Sequence, residues 1–143
     1  MQTAIPARHR LLAHTADMGV FVKAPDLDGL LASAAQAVTE LLVEPDAVSE
    51  QRELSLELEA QDPAELLVRW LSEVLFLFET RHFLGRRFQV RTAGGSRLSA
   101  RIGGEELDFE RHRFRCEVKA VTRHRLRGEP TTRGWRAFFI VDL

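Results

Sequence analysis

The stretch that most limits the fold is DPAELLVRWLSEVLFLFETRH, residues 62–82. Asp62 stands as an N-cap, Pro63 takes the first helical position, and Glu65 follows three residues after the cap. Leu66, Leu67, Trp70, Leu71, Val74, Leu75 and Phe78 then make a broad apolar face, widened by Phe76 and Leu77. A face this wide predicts the most buried element of the protein. Only one other helix is on offer. In PDLDGLLASAAQAVTELLV, Asp26 is the cap, and Leu27, Leu30, Leu31, Ala34, Val38, Leu41 and Leu42 form one stripe before Pro45. With two helices alone, the broad one must pack centrally against sheet.

The remaining segments read as strands. Arg8 to Ala13 is a candidate first strand, and Met18 to Lys23 alternates with a period of two. RELSLELEA sets Leu54, Leu56 and Leu58 against Glu53, Ser55, Glu57 and Glu59, a strand with one wet face. RRFQVRT, the AGGS turn and RLSARI make a hairpin. GGEELDFERHRFR reads as an irregular polar connection. EVKAVTRHRL and WRAFFIVDL are two further strands, joined by RGEPTTRG. The last strand is apolar on both faces, so it is expected inside a sheet and covered on both sides. The order is β-β-α-β-α-β-β-β-β, with short connections that favour antiparallel pairing. This predicts an α+β fold, two amphipathic helices against mostly antiparallel sheet, in a single domain over residues 1–143.

Formal net charge is -1, so overall charge argues for no nucleic-acid coat. Arginines crowd between Arg81 and Arg136, while Asp26 to Glu65 is mostly acidic; a local basic face and scattered arginines on solvated strands both fit. Cys116 is the one cysteine, which excludes an internal disulfide and a multi-cysteine zinc site. No signal-type segment opens the chain, and no apolar run approaches the roughly 20 residues of a membrane span. A soluble, cytoplasmic protein with no membrane partner is the expectation.

Chemistry-bearing residues are few. Asp17, in HTADMGV, suits a turn or cap, or a ligand for a hard divalent cation. Asp142 closes a strongly apolar strand, which should tie down Leu143 and its terminal oxygens. Were these groups adjacent, a bound cation would relieve the crowding of negative charge. His14 is a ligand, a donor that orients Asp17, or a plain strand-end residue. His112 and His124 sit among arginines and read as surface residues. Cys116 reads as a semi-buried structural thiol. In EVKAVTRH, strand periodicity puts Glu117, Lys119, Val121 and Arg123 on one face, as a wet ion-paired surface or with Lys119 reaching an anionic partner. Phosphate-binding glycine loops, GxSxG and HExxH are missing.

Taken together, HTADMG at His14–Gly19, LLVRWLSEVLFLFET at Leu66–Thr80, GEELDFERH at Gly104–His112, EVKAVTRH at Glu117–His124 and the closing W…FFIVDL resemble the archease family. These blocks keep the family's order over nearly the whole chain. Arg123, where an aromatic residue is common, and RLRGEPTTRG depart from its pattern. The resemblance implies an accessory protein, not a catalyst, that promotes guanylylation and multiple turnover of an RtcB-type tRNA-splicing RNA ligase. It implies a divalent-metal site, usually calcium, on Asp17, Asp142 and Leu143, the last through backbone or terminal oxygen. RNA is then expected only through the ligase, in tRNA splicing or RNA repair, with Lys119 and His14 as supporting or partner-contacting residues. The alternatives are a metal-dependent phosphohydrolase or nuclease, lacking a second metal's ligands and a clear base, and a general chaperone-like module.

Overall fold

The computed structural model describes residues 16–143. The expected strand at Arg8–Ala13 and the candidate residue His14 lie outside them. The order is β1 (Asp17–Ala24), α1 (Leu27–Leu42), a 3-10 turn (Pro45–Ala47), β2 (Arg52–Glu59), α2 (Pro63–Arg81), β3 (Phe83–Ala93), β4 (Arg97–Glu106), β5 (Ala120–Thr131) and β6 (Gly134–Asp142). The strands form two antiparallel sheets, β1-β6-β5 and β2-β4-β3. This is the α+β class that the pattern predicts.

Both helices start where their caps place them. The Asp26 carboxylate accepts from the Gly29 N–H at 2.7 Å, and that of Asp62 from the Glu65 N–H at 2.9 Å. α2 stops at His82, which takes a left-handed φ of 55° while its N–H reaches the Leu77 and Phe78 carbonyls. Each helix touches strands of both sheets, α1 against β3 and β1, α2 against β5 and β3. Trp70 is fully buried where they meet. Its indole N–H donates to the Leu31 carbonyl at 2.8 Å, and its ring meets Phe88 edge-on at 6.1 Å. The helix expected to be most buried is not. α1 buries 8 of its 16 residues and α2 only 7 of its 19. Phe76 points away from the α2 stripe and is 54% exposed, and Leu77 is half-buried.

Three strand assignments change. Gly103–Glu106, expected in a connection, continues β4, because the whole segment pairs with β3, and Gly103 and Gly104 pair with β2 as well. Gly104 permits this close approach; a Cβ there would lie 1.9 Å from the Leu84 carbonyl oxygen. β5 begins at Ala120, not at Glu117, and runs through the expected RGEPT connection to Thr131. Its register breaks between Thr122 and Arg127, with Arg125 at a left-handed φ of 56°, so the simple alternation through Lys119 and Arg123 fails. Pro130 is tolerated because β5 is an edge strand. β6 does lie inside its sheet, between β1 and β5. Its cover is one-sided: Ala137, Phe139 and Val141 are buried, while Phe138 and Ile140 on the other face are half-buried.

Gly104→Ala is expected to lower the unfolding free energy by about 2 kcal/mol, because the new methyl meets backbone instead of a movable side chain. Urea titration reads this as a lower midpoint at unchanged slope. An unmoved midpoint would mean that β3 and β4 separate easily at this point.

Candidate functional site

β1 and β6 run antiparallel, with Asp17 opposite Asp142, Gly19 opposite Ile140 and Phe21 opposite Phe138. One step further, the Leu143 N–H donates to the Ala16 carbonyl at 2.8 Å. That bond makes Ala16 and Leu143 a hydrogen-bonded pair, so Asp17 and Asp142 are the neighbouring non-bonded pair. In such pairs the Cα atoms approach to about 4.5 Å and the side chains share a face. On the opposite side of β6, the Lys119 N–H donates to the Asp142 carbonyl at 2.7 Å. The backbone at Asp142 and Leu143 is thus held from both flanks.

Asp17, Asp142 and Lys119 are exposed, and Leu143 is half-buried. Two carboxylates directly across an antiparallel pair repel one another. Among the described residues, no group of three His, Cys, Asp or Glu side chains gathers at one point. The set available at this end is two aspartates with the main-chain oxygens of Leu143. Such all-oxygen donors suit a hard divalent cation. Lys119 is brought alongside by its backbone, though outside the strand it was expected to occupy. His124 is exposed as expected. The Cys116 thiol is half-buried and donates to the Leu41 carbonyl at 3.1 Å, the structural role expected of it.

A second polar centre was not anticipated. His112, expected at the surface, is 2% exposed, and Glu105 is 4% exposed. The Asp108 N–H donates to His112 Nδ1 at 2.8 Å, which assigns the ring proton to Nε2. Nε2 in turn faces Glu105 Oε2 at 2.9 Å. The same carboxylate accepts from the Ser49 N–H at 2.6 Å and from both terminal nitrogens of Arg111. The Arg111 guanidinium first, then the Ser49 N–H and His112, hold the Glu105 carboxyl down at about 2, against the opposing effect of burial. This network fastens the turn at residues 107–112 to the end of β4 and to the segment after the 3-10 turn. The clue in the sequence is GEELDFERH, where Glu105, near the end of β4, stands seven residues before His112.

The model of the Archease protein family (MTH1598/TM1083) matches residues 9–143. The chain belongs to the archease family. A curated archease of Archaeoglobus fulgidus is 33% identical over 138 residues, covering 95% of this chain and 99% of that one. The solution structure of protein 1598 of Methanobacterium thermoautotrophicum superposes with a TM-score of 0.77 at 32% identity, covering 90% of this chain and 93% of that one. The crystal structure of an archease, possible chaperone, from Thermotoga maritima gives 0.63 at 14% identity, over 100% of this chain and 99% of that one. That last likeness speaks for the shared archease fold alone. Among the described residues, no helix of this archease is long and apolar enough to cross a membrane.

The Glu105 network makes a pH prediction. Its folded pKa lies below the ordinary value of 4.5, so its stabilisation is complete above about pH 5 and is lost as pH falls towards 2. The full effect is on the order of 3 kcal/mol. Unfolding free energies of the parent and Glu105→Gln, measured from pH 7 to pH 2.5, should differ most at the neutral end and converge in acid. Parallel curves would refute the assignment.

Proposed function

We propose that this chain acts as an accessory protein of an RtcB-type RNA ligase, promoting guanylylation of the ligase and its multiple turnover through the end of the sheet that carries Asp17 and Asp142. The reading rests on membership of the archease family. The observation that carries it to named residues is the β1–β6 register, which sets Asp17 opposite Asp142 beside the tied main chain of Leu143.

The donors fit a divalent cation, calcium by the family resemblance. They are oxygens only, they face one another across two paired strands, and they are open to solvent. Asp17 and Asp142 would hold it with a main-chain oxygen of Leu143. When bound, such an ion neutralises the facing carboxylates and offers positive charge to a phosphate-bearing partner. The chain's own part is positional. Two strand ends and the Lys119 N–H fix the donors, and the exposed Lys119 side chain is assigned a supporting cation's part by the family resemblance. No group placed here serves as an evident general base, so the proposal is activation of another enzyme and not stand-alone catalysis.

Ligase turnover with excess RNA tests this. The parent chain should raise turnover, and Asp17→Ala should abolish the rise while leaving circular dichroism and thermal unfolding unchanged. Full stimulation by the Asp17 variant would remove the site from the mechanism. Turnover of RNA or nucleotide by the chain alone with metal would replace the accessory role with an enzymatic one, and equal rescue of unrelated clients would replace it with a general chaperone.

A further inference from the structure

The outer face of the β1-β6-β5 sheet carries a second surface, away from the Asp17 end to which the proposed ligase activation is assigned. Cross-strand register lines up Phe21, Phe138 and Arg127 in one row, and Lys23, Arg136 and Glu129 in the next. Phe21 is 81% exposed. Its ring lies 4.6 Å from that of Phe138, the planes tilted by 48°. The Phe138 ring leans over Gly19, where a Cβ would come within 2.9 Å of it. Two aromatic rings are thus spread on an open sheet instead of being folded into the core.

The surroundings are cationic. The segment 123–136 carries Arg123, Arg125, Arg127, Arg133 and Arg136 and the single acid Glu129, with Arg127, Glu129 and Arg136 set in the outer rows by register. Glu129 is already paired with Arg136, and Arg123 with Glu65. Among the described residues, Arg125, Arg127 and Arg133 have no carboxylate partner within 4.0 Å. Arg125 stands in the β5 irregularity, where its left-handed backbone interrupts the ladder.

We propose that this face binds single-stranded nucleic acid. Bases stack on Phe21 and Phe138, and Arg127, Arg125 and Lys23 take the phosphates. Exposed aromatics with adjoining unpaired arginines are the elements of a single-strand platform, since every base offers a π-face and every linkage a negative charge. The strand crosses the sheet towards β5. Running along β1 would bring phosphates to the Asp17 end, about 14 Å away along the strand, where carboxylates repel them. The inference goes beyond ligase activation, does not require Asp17, and revises the expectation that RNA is met only through the ligase.

Fluorescence anisotropy of a labelled oligoadenylate, with the full chain in EDTA and no ligase present, tests it. Saturable, salt-sensitive binding is expected, and a DNA counterpart separates a site selective for RNA from one common to both strands. Phe21→Ala should weaken binding about tenfold, while Phe21→Trp retains it. Arg127→Glu should weaken it to a similar degree and flatten the salt dependence. Asp17→Ala should bind like the parent, which keeps this outcome distinct from the ligase assay. Absence of binding by the parent to either strand overturns the proposal. So does unchanged binding by both Phe21→Ala and Arg127→Glu. A Phe21→Ala variant that loses self-association or ligase stimulation, when the parent binds no oligonucleotide, assigns the face to a protein instead.

Discussion

The pairing of β1 with β6 is held in register by what it buries. Ala137, Phe139 and Val141 face the helices, and Asp142 lies on the opposite face with Phe138 and Ile140. Because side chains alternate along a strand, a slip of one residue would turn Phe139 and Val141 outward and Asp142 inward. Burying each of the two apolar side chains is worth about 1.5–3 kcal/mol. Repulsion between facing exposed carboxylates costs less, within the roughly 1 kcal/mol range of cross-strand pairs. The core therefore sets the position of the aspartates, and the repulsion between them is too weak to change it. That imbalance leaves two anions side by side at an exposed edge without loss of the fold.

The two polar centres use carboxylates in opposite ways. Glu105 is buried, and its lone pairs meet Arg111, Ser49 and His112. A buried charge is tolerated only when matched in this way. Its work is finished inside the protein, where it clamps a turn. Asp17 and Asp142 are exposed, and the arrangement of β-strands that sets them leaves their oxygens pointing at solvent instead of at an internal donor. In physical terms the first centre is architecture and the second is an open valence.

Local features were the legible ones. Asp26 and Asp62 could be read as caps, and Leu54, Leu56 and Leu58 as one side of a strand, because each signal is complete within a few residues. What escaped depends on distant partners. Gly103 and Gly104 look like strand breakers until both neighbouring strands are present to use their lack of side chains. His112 looks solvated until Glu105 and the Asp108 N–H close around it. The β5 irregularity moves Arg127 into the row of Phe138, which simple alternation from Glu117 cannot foresee. At the candidate metal site, residue types supplied the oxygen donors and the family resemblance supplied their grouping. Spacing along the chain carries no trace of the register that sets Asp17 against Asp142.

The central strand of the first sheet, β6, follows both of its neighbours in the sequence: β1 by more than a hundred residues and β5 by one short turn. A chain emerging from the ribosome makes β1 well before β6. β1 and β5 must therefore wait without a shared neighbour until β6 is made, while the β2-β4-β3 sheet can already close. The surface bearing both aspartates consequently cannot form before β6 is made, and no chain stopped short of β6 can display it.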